Sequence, residues 1–153
     1  MPKKRKWEID ELKESKAVTS TAVIVLNDRI DNFLESVIRY FENSTVENLH
    51  DVRISIRRVR YSMELFIACF DRKVFLRFYS SVEELQDLSG SVRDLDVLLE
   101  NVKSLDEKEK IKVSKNLKEH VLKEKGELEE TFKIELMKFL HSKIFKDFTK
   151  EIH

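Results

Sequence analysis

The sequence predicts an all-α protein, an antiparallel helical bundle of four long helices plus a short C-terminal helix. Three observations carry this. Two glycines and one proline in 153 residues leave few helix breakers, and a 38% charged fraction can clothe long helical surfaces. Apolar residues, ten Phe among them, recur at spacings of three and four rather than two. Short polar breaks containing helix-capping residues separate these runs. The length suits one domain with a core of its own.

The first long helix is expected from about Ser20 to Glu42, with Leu26, Ile30, Phe33, Val37 and Tyr40 on its buried stripe. Residues 7–16 read as a short extra helix or a loose segment. Asn43-Ser44-Thr45-Val46-Glu47 is a stop followed by a start, in which Ser44 and Glu47 make a capping box. The second helix then continues to about Phe70. Asp71 can cap a third, which reaches Val102 or Ser104 and buries Leu85, Leu88, Val92, Leu95 and Leu99. Gly90 lies inside it, between Ser89 and Ser91, and costs about 1 kcal/mol relative to Ala. A side-chain-poor patch of this kind suits a close helix crossing together with room for a ligand. Asp106 with Glu109 reads as the cap of a fourth helix toward Phe139 or Leu140, buried along Leu117, Val121, Leu128, Phe132 and Phe139. The last helix spans Ser142 to Ile152 and buries Ile144, Phe145, Phe148 and Ile152.

The second helix carries the most information. At about 100° per residue, His50, Arg53, Arg57, Arg60 and Tyr61 share one arc, while Val52, Ile56, Val59, Met63, Phe66 and Phe70 share the next. Three guanidinium groups and an imidazole therefore stand in a row beside a surface that must be buried. An ordinary Lys/Glu helix would offer water a face whose cations have carboxylate partners. This row has almost no acid of its own, because Asp51 points elsewhere and only Glu64 lies along the stripe. The cations are arginines, whose planar fork fits phosphate oxygens. The pattern points to a seat for a polyanion. His50 could otherwise be a satisfied core histidine. Arg58 lies about 80° from His50 on the wheel, at the rim of the row.

His50-x-x-Arg53-x-x-x-Arg57-Arg58-x-Arg60, followed by Asp87-Leu88-Ser89-Gly90-Ser91-Val92-Arg93-Asp94-Leu95-Asp96-Val97, resembles the paired signature of the CHAD family, the conserved histidine α-helical domain. The resemblance covers roughly residues 20 to 150. It implies an all-helical domain that binds inorganic polyphosphate through basic residues and has no catalysis of its own. His50, Arg53, Arg57, Arg58, Arg60 and Arg93 are the ligand-binding residues it implies. Lys123, Lys138 and Lys143 are candidates to extend the basic lining, although each taken singly reads better as a solvated surface lysine. Asp94 and Asp96 would hold the arginines in place rather than touch the anion. Family members usually carry two copies of the unit, whereas this chain has one: His120-x-x-Lys123 and His141-x-Lys143 lack the Arg-Arg continuation. A half-length unit suggests a homodimer about a true twofold that rebuilds the full basic channel.

Net charge is zero, so attraction to an anion requires segregated charge, and Arg dominates residues 53–60 while Glu107 to Glu130 is a self-balancing Lys/Glu run. No glycine-rich phosphate loop, nucleophile elbow or metal-ligand cluster is evident, so no catalytic residue, cofactor or metal is expected. Nucleic acid is the alternative partner, disfavoured because aromatics for base stacking do not interleave with the basic residues. A phosphate-processing enzyme is the third reading. Cys69 is the sole cysteine and sits in an apolar run, which suits a buried small hydrophobe. No stretch has the length of a membrane span or a secretory core, so an intracellular, cytoplasmic protein is expected, and the family resemblance places it with polyphosphate granules. Residues 1–15, with Pro2-Lys3-Lys4-Arg5-Lys6, read as a basic arm adding non-specific attraction to the helical domain of residues 16–153. A nuclear-localisation patch is the competing reading of the arm.

Overall fold

A computed structural model describes residues 17–109 and 111–153. The basic arm and the possible helix at residues 7–16 lie outside the described residues. Five α-helices follow one another: α1 (Val18–Glu42), α2 (Val46–Leu65), α3 (Arg72–Lys108), α4 (Lys115–Leu140) and α5 (Lys143–Glu151). No strand occurs among the described residues. Contacts along the helices set their directions. Ser36 and Ser55 hydroxyls meet at 2.8 Å between α1 and α2, Arg60 reaches Tyr79 and Gln86 between α2 and α3, and Lys125 meets Asp96 between α4 and α3. Tyr40 and Phe33 on α1 touch Phe132 and Phe139 on α4, which closes the ring. The order of these last two contacts makes α1 and α4 antiparallel.

The expected α1 stripe is buried in full, as are Val52, Ile56, Val59 and Met63 of α2. Phe78 and Phe148 stack with centroids 4.0 Å apart, and Phe75 and Phe70 pack around them, so α5 seals the end of the bundle where α3 begins. Asn27 adds a bond from its Nδ2 to the Ile152 carbonyl at 2.7 Å, tying α1 to the end of α5.

The helix boundaries depart from the sequence expectation in four places. Thr45, not Ser44, caps α2: its Oγ accepts from the Asn48 N–H at 3.1 Å, while Asn48 Nδ2 donates back to the Asn43 carbonyl at 2.8 Å. Ser44 serves the preceding helix instead, donating to the otherwise orphaned Tyr40 carbonyl. The second difference is that α2 ends at Leu65 rather than Phe70. A 3₁₀ turn at Ile67–Cys69 follows, and Phe70 becomes extended so that its ring stacks on Phe75. Cys69 is half-buried in that turn rather than in the core. Third, α3 runs on to Lys108, past the expected stop. The fourth follows from it, since Asp106 then cannot cap α4; it accepts the Val113 N–H at 3.0 Å and pairs with Lys118, fastening the α3–α4 connection. Leu117, expected on the buried side, is exposed near this free end of the hairpin.

Candidate polyanion-binding groove

The groove between α2 and α3 gathers the arginines. Spacings of three and four residues place His50, Arg53 and Arg57 on successive turns of α2, and together with Ile54 and Gln86 of α3 they line a shallow hollow. It holds only about 20 Å³, room for little more than one water. An anion must lie along such a groove rather than inside it. Arg93 of α3 completes the cluster from the opposite wall. Burial, and then the charges of Arg57 and Arg93, lower the pKa of Arg53, while Asp94 acts in the opposite direction. Arg53 thus stands beside two like charges in one groove.

Not every predicted residue joins them. His50 is exposed at the groove, which excludes the core-histidine reading. Arg57 and Arg58 are exposed. Arg60 is already committed: its Nε donates to Tyr79 Oη at 3.0 Å and to Glu64 at 3.2 Å, Nη1 donates to Gln86 at 3.2 Å, and Glu83 lies 3.5 Å from Nη2. The Tyr79 hydroxyl raises the pKa of Arg60, and Tyr79 itself donates to Glu64 at 2.6 Å. Arg60 is a clasp between α2 and α3 at the end of the row. The carboxylates and phenol that hold it come mostly from α3, so the wheel of α2 alone gave no sign of them. Tyr79, Glu83 and Gln86 are the residues that sequence reasoning missed.

Arg93 meets Glu100 at 3.7 Å, a loose pair with a mostly exposed acid that an anion can displace. Asp94 lies near enough to Arg53 to act against the lowering of its pKa. Asp96 does not line the groove. It is buried on the core face of α3, 2.5 Å from Lys125 of α4. The three candidate lysines lie elsewhere too. Lys123 is exposed, about 200° around α4 from buried Val121. Lys138 and Lys143 line separate hollows where α3 meets α4 and α5.

Gly90 lies on the groove side of α3, one turn from both Gln86 and Arg93. A Cβ built there meets nothing within 4 Å, so no helix crosses closely at this point and the expected close contact is overturned. What the glycine leaves is open space beside the arginines. Gly90→Ala should therefore raise stability by up to about 1 kcal/mol, read as a higher denaturant midpoint at unchanged m-value. A lower midpoint would mean that the space is not free.

An all-α bundle whose second and third helices face each other across an arginine-lined groove defines the class of protein. The sequence matches the CHAD domain over residues 4–103, and the chain belongs to that family. The match contains α1, α2 and most of α3, and hence both walls of the groove; α4 and α5 lie beyond it. No curated protein and no solved structure matches the chain. Among the described residues no helix is long and apolar enough to cross a membrane, and no three His, Cys, Asp or Glu side chains are placed to hold a metal ion.

Proposed function

We propose that the α2–α3 groove binds inorganic polyphosphate without chemical turnover. The convergence of Arg53, Arg57 and Arg93, with Arg53 held in mutual repulsion with the other two, carries the reading. Polyphosphate has about one negative charge per phosphate along a flexible chain. Arginines one helical turn apart, about 5 to 6 Å, can track it with bidentate contacts. His50 and Arg58 contribute at the edges of the groove, and Arg60 fixes its wall. A cytoplasmic place beside polyphosphate granules goes with this reading.

The test is titration of the full chain with long-chain polyphosphate across a salt series. With three to four cations engaged, log K should fall with log salt at a slope of about −2 to −4, by analogy with nucleic acids. Duplex DNA at equal phosphate concentration should compete poorly, and no orthophosphate should appear on prolonged incubation. Preference for DNA would favour the nucleic-acid reading, and phosphate release would make the protein an enzyme.

A single motif also supports a homodimer in which two grooves act on one chain, raising affinity through effective concentration. Light scattering with and without ligand checks this. A monomer in both states, indifferent to polyphosphate length, would exclude it.

A further inference from the structure

We propose that the flank of α3 opposite the arginine groove carries a second binding site, for an amphipathic organic cation: an amine borne on an apolar body. A cleft of about 590 Å³ opens there between α3, the end of α4 and the turn into α5. Its volume lies within the range of about 300–1,000 Å³ typical of small-molecule sites. On the α3 wheel Glu84 and Leu88 lie about 160–200° from Gln86, so the cleft and the groove look out on opposite sides.

The lining sets the ligand's chemistry. Half-buried Leu88 and Ile144, backed by the core residues Leu85 and Phe139, give the cleft an apolar wall. Glu84, Asp87 and Glu135 stand around it with Lys138 as the one basic side chain. Lys138 Nζ lies 3.2 Å from Glu135, which uses up that charge. Among the described residues Glu84 and Asp87 have no ion pair. The hydroxyls are occupied by their own helices: Ser81 donates to the Arg77 carbonyl, Ser91 to Asp87 and Ser142 to Phe139. Polar recognition therefore falls to two carboxylates beside an apolar wall. An ammonium group with a hydrocarbon body answers both, whereas an anion would meet uncompensated negative charge. A chain of zero net charge thus divides its surface, with the basic groove on one flank of α3 and the acidic cleft on the other.

Three probes of equal length test the site on the full chain: 4-phenylbutylamine, 4-phenylbutanol and 4-phenylbutyrate, each titrated at low salt while amide shifts are followed by NMR. The amine should shift the amides of Ser91, Phe139 and Ser142 and bind at least about tenfold more tightly than the alcohol, as a charge-assisted contact requires. The butyrate should bind weakest. Glu84→Gln with Asp87→Asn should reduce the amine to the alcohol's affinity, in a protein whose spectrum shows the parent fold. Arg53→Ala with Arg57→Ala should leave amine binding unchanged. Equal affinity for amine and alcohol, tighter binding of the butyrate, an amine affinity that survives loss of both carboxylates, or no shifts at the cleft would each overturn the proposal.

Discussion

Replacing Arg53 and Arg57 together by alanine should cost about a hundredfold or more in polyphosphate affinity while leaving the helical spectrum intact. Each arginine can make a charge-assisted bidentate contact, and such contacts contribute about 1.5–3 kcal/mol apiece, or roughly one to two decades of affinity. The fold has little stake in these charges. Arg57 is exposed, and Arg53 has its pKa lowered by burial and then by the like charges beside it. Removing both relieves repulsion, so the double variant should melt no lower than the parent at low salt, the signature of a site kept for binding at some cost in stability. Arg53→Lys combined with Arg57→Lys keeps the charge but loses the planar fork, so its affinity should fall between those of the parent and the alanine variant. Arg60→Ala gives the contrasting pattern. Its guanidinium is engaged by Tyr79, Gln86, Glu64 and Glu83, so its loss should lower the denaturation midpoint more than it weakens binding. A double alanine variant that binds polyphosphate as the parent does would show that the row is not the seat.

The helices were legible because their apolar periods are regular and their breaks are polar. Leu26, Ile30, Phe33, Val37 and Tyr40 sit where a 3.6-residue period places them. Boundaries were harder, because neighbouring residues compete for the same capping role. Ser44 and Thr45 can both cap, and the choice falls to Thr45 only because the end of α1 leaves the Tyr40 carbonyl in need of a donor. No local pattern in α2 contains that demand.

The α3 stripe shows a second limit. A search for aliphatic residues yields Leu85, Leu88, Val92, Leu95 and Leu99, but the buried positions after Val82 are Leu85, Ser89, Val92, Asp96 and Val102. Leu88 and Leu95 lie only partly buried on the flank. Ser89 escapes the penalty of burial by donating to its own helix at the Gln86 carbonyl, and Asp96 by facing Lys125. Polar residues at core positions hide from a search for hydrophobicity. The site was divided in the same way. Arginines on one face of α2 announced themselves, whereas the α3 partners that hold Arg60 depend on which helix packs there. Asp96 reads as a support for the arginines because Arg93 is three residues away in sequence. Its place on the core face of α3 turns it toward α4 instead.

That misplaced carboxylate underlies the second large effect. Asp96 is 4% exposed, its Oδ1 lies 2.5 Å from Lys125 Nζ, and its Oδ2 has no hydrogen-bonding partner among the described residues. Close by, the buried Tyr40 hydroxyl donates to Glu129 at 2.6 Å, and burial, Glu129 and Asp96 together push its pKa up. Lys125 is therefore the cation that keeps this acidic neighbourhood inside the fold. Lys125→Met preserves the aliphatic stem and removes only the charge, so it should leave an uncompensated buried carboxylate and cost about 3 kcal/mol or more. Against a typical total of about 5–15 kcal/mol, that is a large fraction of the protein's stability. The pair as a whole should contribute far less than its rupture costs, because both ions are desolvated to form it. Asp96→Leu with Lys125→Met should therefore recover most of the loss, and the double-mutant cycle should show strong coupling between the positions. Denaturant titration of the parent, both single variants and the double variant measures it. A Lys125→Met protein as stable as the parent would mean that Asp96 does not depend on this partner.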